Sequence, residues 1–258
     1  KNSPHTQIGS FIMTSCTGYD TPSPDMLLAE EFGLPENLRR TFIGHVGCHA
    51  AFTAIKTALD SLAARPQQAA LVHCTEISSV HFRDSDTSKE QIICQALFGD
   101  ASAAMVIANT PDNVGPLILA THTETISEHV DYMGWSIRDD GFKMTLSPRV
   151  PIVIGEAING FVDKLLAPLK MNIRNLKHWC LHPGGPKIID AVGSALSLDD
   201  EQTRLSREVL AECGNCSSPT VLLILDRLLK QKRPAPGEFG VLLGFGPGLT
   251  IEGLLVQF

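Results

Sequence analysis

The chain has 258 residues, 43% of them hydrophobic, enough for a large core in one domain or in two fused ones. A net charge of −7 argues against nucleic acid as the main partner, and no apolar run is long enough to span a bilayer. No signal peptide is visible, and an odd set of seven scattered cysteines reads as reduced thiols in a cytoplasmic protein.

In chain order, residues 1–5 are polar and expected to fray. Residues 8–15 read as a strand, 16–24 as a turn-rich loop and 25–32 as a short helix stopped by Gly33. A β-leaning run over 39–46 leads through Gly47 into Cys48. Phe52, Ile55, Leu59 and Leu62 then recur at helical spacing. Cys48 is thereby placed at a helix N-terminus, where unpaired N–H groups and the positive dipole end favour a thiolate. Ala50 and Ala51 leave room for a substrate beside the sulfur. The alternative is a buried structural cysteine, which most free cysteines are.

Residues 69–74 form an apolar run of the kind buried on both faces of a sheet, and 76–91 are polar and irregular. After the segment 92–99, residues 101–107 read as another strand. The stretch 110–149 is the least periodic and reads as edge strands and loops covering a site. Pro151 opens an amphipathic helix over 152–166, and a strand at 177–181 runs into His182-Pro183-Gly184-Gly185-Pro186. Helices are predicted at 187–196, 201–212 and 218–230. Strands at 239–243 and 249–256 flank Gly244-Phe245-Gly246-Pro247-Gly248. Such alternation means an α/β protein. Cys213 and Cys216 form a C-x-x-C without the second pair that a zinc site wants, so no metal is expected.

The same unit occurs twice. A strand ends at Cys16 and a later segment delivers Cys48, 32 residues on; a strand ends at His182 and a later segment delivers Asn215, 33 residues on. Two related halves packed about a pseudo-twofold axis bring Cys48, His182 and Asn215 face to face. A cysteine nucleophile needs a partner for its proton, and His182 sits on a loop whose prolines and glycines give rigid placement and close approach. Asn215 donates two hydrogen bonds and is never charged, which suits a developing oxyanion or enolate. The alternative is an N-cap for the following helix, but Ser217 or Ser218 caps equally well, so Asn215 is not needed for that purpose.

With these residues assembled, the chain resembles the type III polyketide synthases, the chalcone and stilbene synthase family within the thiolase fold. The match runs through Gly47-Cys48, Cys74-Thr75-Glu76-Ile77, Phe82-Arg83 and Gln95-Ala96-Leu97-Phe98-Gly99-Asp100. It continues through His182-Pro183-Gly184-Gly185-Pro186, Gly214-Asn215 with Ser217-Ser218, and Gly244 to Glu252. The resemblance implies a duplicated, thiolase-like αβαβα layered fold, with residues 1–120 as the remainder of the first half and 121–258 as the second. It implies that Cys48 carries the acyl chain as a thioester. His182 and Asn215 hold the extender carbonyl and stabilise the enolate left when a malonyl thioester loses CO2. The enolate then attacks in a Claisen condensation.

By the same resemblance Phe98 is the gatekeeper between the pantetheine tunnel and the cavity. Gly246 and Gly248 let a loop backbone lie against the reacting chain, with Phe245, Pro247 and Ser217 as further substrate-binding positions. Several positions depart from the plant-type pattern: His49 follows the cysteine, Met144 replaces a second gatekeeper aromatic and Trp135 stands where glycine is common. Cys16, Ser78 and His81 stand at cavity-lining threonine positions, and Thr21 at the residue that reaches across a homodimer. These departures point away from a chalcone-type product and toward an α-pyrone or resorcinol. Family members also have an N-terminal portion, absent from this sequence, that completes the first sheet and binds CoA phosphates.

The substrates implied are acyl and malonyl thioesters of CoA or of an acyl carrier protein, with no metal or organic cofactor, no nucleic acid and no membrane. An acidic balance does not favour docking of an acidic carrier. A papain-like hydrolase shares the order Cys, His, Asn but lacks its local signature here. A β-ketoacyl-carrier synthase III-like enzyme, an enzyme joining two carrier-bound chains into an α-pyrone, and an inactive chain-length partner complete the alternatives.

Overall fold

The computed structural model describes residues 8–83, 86–109, 115–139 and 141–258; the frayed start expected at residues 1–5 lies outside them. Strand β1 (Ile8–Ser15) runs parallel to both β2 (Arg39–Gly44) and β3 (Ala69–Glu76), and β4 (Ala101–Ala108) is antiparallel to β3. The sheet order is β2-β1-β3-β4. Helices α1 (Pro24–Glu31), α2 (Ala50–Ala64) and α3 (Lys89–Leu97) connect these strands in turn. The second sheet uses β5 (Leu117–Thr125), β8 (Leu176–Leu181), β9 (Phe239–Gly246) and β10 (Thr250–Gln257), in the order β5-β10-β9-β8. Between them in sequence stands a separate hairpin, β6 (Met133–Arg138) and β7 (Gly141–Leu146). Helices α4 (Val150–Leu166), α5 (Pro186–Leu196), α6 (Asp200–Cys213) and α7 (Thr220–Arg227) complete the second half.

The apolar periodicity decides the layering. The α2 face of Phe52, Ile55, Ala58 and Leu62 joins Val221, Ile224 and Leu225 of α7 in one core between the two sheets. On the far side of the second sheet, Ile154, Ile158, Phe161 and Leu165 of α4 and Ile189 and Val192 of α5 pack against Trp179, Val241 and Leu255. On the far side of the first sheet, Ala29 of α1 meets Phe11 and Met13. The result is five layers, α-β-α-β-α.

The duplication is visible in the pairing. A parallel pair followed by an antiparallel neighbour, β1-β3-β4, has its counterpart in β8-β9-β10. The match is not complete: where the first half has β2, the chain before Asn215 contributes one isolated bridge, between Phe98 and Asn215. The whole of β5, from Leu117, belongs to the second sheet, so the halves divide before 117 rather than at 120.

Three expectations change. The run at 39–46 stops as a strand at Gly44, because His45 turns to φ 60°. Strand β3 extends to Glu76 and alternates buried with half-buried residues along most of its length, so one face is the better covered. The polar stretch 76–91 contains a 3₁₀ turn, Ser78–His81, and the first turns of α3.

Phe52 is fully buried in the central layer and lies directly under Gly244, where a β-carbon would come within 2.3 Å of its ring. Phe52→Ala therefore leaves a cavity under both halves. A loss of about 3–5 kcal/mol is expected, read as a lowered urea midpoint with an unchanged slope.

Candidate active site

Cys48 sits two residues before α2, on a turn made by His45 and by Gly47 at φ 86°. A β-carbon on Gly47 would meet Pro247 at 2.4 Å, so the loops of the two halves touch beside the cysteine and only glycine fits there. Asn215 follows α6. Its N–H donates to the Leu97 carbonyl at 2.8 Å, and its carbonyl accepts from the Gly99 N–H at 3.1 Å. The side-chain Oδ1 accepts from the Ser217 N–H at 2.8 Å, which orients the amide and leaves Nδ2 4.0 Å from Cys48 Sγ. His182 ends β8, its N–H donating to the Leu243 carbonyl at 2.8 Å. The ring is fully buried and neither nitrogen has a partner. Buried polar atoms without partners are costly, and here they face a cavity in which a substrate can supply them.

Cys48, His182 and Asn215 line one cavity of about 600 Å³. Phe98, Cys16, Ser78 and Ser217 line it too, with the Cys16 sulfur accepting from the Gly47 N–H at 3.0 Å. Trp135 and Met144, cross-strand neighbours on the β6–β7 hairpin, form a wall together with Met133 and Leu146; Phe245 contributes from the end of β9 and Pro247 from the loop after it. His49, His81 and Gly246 do not line the cavity. His81 lies behind the wall, its Nε2 donating to the Thr17 carbonyl at 2.8 Å and its ring edge-on to Trp135 and Phe142. His49 is buried against Gly246, where a β-carbon would come within 2.1 Å of its Nδ1. The missing side chain of Gly246 therefore makes room for His49 rather than for the reacting chain. Thr21 stands exposed on the loop after β1.

One polar group in the cavity was not singled out from the sequence. The Glu76 carboxylate is buried at the end of β3. It accepts from the backbone N–H groups of Cys16 (2.9 Å) and Thr17 (3.1 Å), and from the hydroxyls of Thr17 (2.8 Å) and Ser218 (3.0 Å). Burial pushes its pKa up and these hydrogen bonds pull it back. The available signal was an acid closing a strand that opens on the apolar run Ala69 to Val72.

Burial also sets the protonation of the nucleophile. It pushes the Cys48 thiol up to about 11, against hydrogen bonds from Ser217 and Asn215 and with added repulsion from Glu76. Burial, then neighbouring His49, lowers His182 to about 3. The helix N-terminus alone therefore does not make a thiolate, contrary to the expectation from sequence. Each charge is disfavoured singly in this buried setting.

Two tests follow from this geometry. Gly246→Ala overpacks His49 and is expected to cost about 1–3 kcal/mol, and adding His49→Ala should recover at least half of that loss in thermal unfolding. In His182→Gln the cavity that holds Cys48 loses its imidazole as a proton acceptor. Alkylation by iodoacetamide at pH 7 should slow at least tenfold, and then recover roughly tenfold per pH unit on the way to a thiol pKa near 11.

Comparison with known proteins agrees with this geometry. The profile for chalcone and stilbene synthases, N-terminal domain, matches residues 2–111, and that for the C-terminal domain matches residues 118–258. Among solved structures, PKS-I from the brown alga Ectocarpus siliculosus is 33% identical over 97% of this chain and 69% of that one, with a TM-score of 0.92. A second is 1,3,6,8-tetrahydroxynaphthalene synthase from Streptomyces coelicolor A3(2), a bacterial type III polyketide synthase. It is 31% identical over 98% of this chain and 72% of that one, with a TM-score of 0.90. The C-terminal type III polyketide synthase domain of Steely1, a type I/III hybrid from Dictyostelium, is 28% identical over 99% and 72%, with a TM-score of 0.91.

Proposed function

Because the chain belongs to the chalcone and stilbene synthase family, and so is a polyketide synthase that forms C–C bonds by acyl transfer, we propose that Cys48 is the acyl-bearing nucleophile. In this reading the Cys48 proton passes to His182 as the sulfur attacks a thioester carbonyl, the carrier thiol leaves, and an acyl–Cys48 thioester forms. A malonyl thioester then enters the same cavity. Loss of CO2 leaves an enolate whose oxygen is held by the Asn215 amide N–H and by His182, and its carbon attacks the acyl carbonyl as the C–S bond breaks. The sequence of steps is redox-neutral and needs no organic cofactor. The observation that carries the reading is the closure of Cys48, His182 and Asn215 on one cavity from 167 residues of separation, with the Asn215 amide beside the sulfur, Oδ1 at 3.9 Å and Nδ2 at 4.0 Å.

The finer product follows from the walls. Trp135 and Met144 bound a cavity of about 600 Å³, which supports a short chain closing to an α-pyrone or resorcinol-type ring. Acyl and malonyl thioesters, of CoA or of a carrier protein, are the proposed substrates. A homodimer is the proposed assembly, with Thr21 on an exposed loop beside Tyr19, itself 81% exposed, as its contact. Among the described residues no helix is long and apolar enough to cross a membrane.

Intact-protein mass spectrometry after incubation with a panel of acyl thioesters tests the nucleophile. A mass gain equal to the acyl group, absent in Cys48→Ala, is expected; no gain from any donor would refute the assignment. Asn215→Ala should lower malonyl decarboxylation by about 10²–10³ while acyl loading stays within a few-fold. Equal loss of both steps would contradict its role.

A further inference from the structure

The inner face of the β6–β7 hairpin carries one more ring than the cavity uses. Trp135 stands opposite Met144, and Phe142, two residues before Met144 on the same strand, shares their face. Trp135 and Met144 line the cavity; Phe142 does not. It is instead the hub of a ring cluster drawn from both halves. Its ring is 5.7 Å from Trp135 at 84° and 5.3 Å from His81 at 81°, edge-on to each. It also lies 6.0 Å from His45, tilted by 37°, and His81 is edge-on to Trp135 at 6.0 Å. At such separations and angles the positive edge of one ring attracts the face of the next.

Both histidines are anchored in the first half, close to the reacting groups. His81 is tied to the Thr17 carbonyl, and Glu76 holds Thr17 through its N–H at 3.1 Å and its hydroxyl at 2.8 Å. His45 makes the turn, at φ 60°, that leads into Cys48. The hairpin pairs with neither sheet, so sheet register does not set how far its inner face stands from the sulfur. Gln91 and Glu90 hold the backbone of Met144 and Leu146; further along the hairpin the ring cluster makes the tie. Ile137, opposite Phe142, is 82% exposed, so the brace there is Phe142. We propose that Phe142 is a positioning residue for acyl selectivity. Set against His45 and His81, it fixes the Trp135 wall at one distance from Cys48. It thereby limits the length of acyl chain that Cys48 accepts, without touching that chain. The proposal rests on the acyl–Cys48 thioester proposed above.

The test is loading of Cys48 from N-acetylcysteamine thioesters of straight-chain acids of increasing length, followed over time by intact-protein mass spectrometry. In Phe142→Ala the wall can retreat, and the first chain length that the parent protein excludes should load about tenfold faster. Short donors should load at the parent rate, because Cys48, His182 and Asn215 keep their places. His81→Ala loosens the same brace from the other side and should shift the profile in the same direction. The double variant should shift it no further than the larger single effect, since both act through one cluster. Phe142→Leu keeps apolar volume without the ring, so it separates loss of the brace from a defect in folding; it should shift the profile the same way by a smaller step. An unmoved length limit in all these variants would overturn the proposal, as would an equal loss with every donor or additive effects of the two alanine substitutions. If no donor of any length acylates the parent protein, the nucleophile assignment itself falls, a result read without any variant.

Discussion

The site depends on one short backbone contact between the halves. The N–H of Asn215 bonds the Leu97 carbonyl and its own carbonyl accepts from Gly99, so the end of α3 and the turn after α6 are held as if in one small sheet. The approach is close: a β-carbon on Gly99 would stand 2.1 Å from the Cys213 carbonyl. Phe98 lies inside this bridge and Asn215 forms its other side, so both are fixed by main-chain bonds rather than by side-chain packing. Each half lines the same cavity, the first with Cys48 and Phe98 and the second with His182 and Asn215. The shared central layer of α2 and α7 keeps the bridge in register.

Around this fixed frame the adaptable part is the hairpin. It lies outside both sheets and is tied back by the Gln91 amide to the Met144 carbonyl at 2.9 Å and by Glu90 to the Leu146 N–H. Its inner face presents Met133, Trp135, Met144 and Leu146 to the cavity. Two of these four are methionines, which fill irregular shapes with little strain, beside the rigid ring of Trp135. The cavity is thus built by different kinds of structure: Cys48, His182 and Asn215 stand on a turn before a helix, a strand end and a backbone bridge, and much of the wall on a separate two-stranded hairpin. Burial acts on both, because the same exclusion of water that makes the cavity apolar keeps Cys48 and His182 from charging independently.

The sequence made the strongly periodic elements legible. Apolar runs at 8–15 and 239–256 and the helical spacing from Phe52 to Leu62 reflect burial directly, and the structure follows them within a few residues. The near-equal intervals from Cys16 to Cys48 and from His182 to Asn215 reflect a repeated unit, which is why residues so distant meet. What was not legible depends on direction rather than identity. Nothing in the pattern says that His81 turns its Nε2 to the Thr17 carbonyl, or that Gly246 is small for the sake of His49. Glu76 was hidden because its partners come from Cys16, Thr17 and Ser218, far from it in sequence.

The most direct test of this account is a crystal structure of the enzyme with Cys48 acylated. The account predicts the thioester carbonyl oxygen within hydrogen-bond reach of Asn215 Nδ2 and of a His182 ring nitrogen, and the acyl chain along the Met144 and Trp135 wall. An acyl group on Cys48 whose carbonyl turns away from both Asn215 and His182 would contradict it.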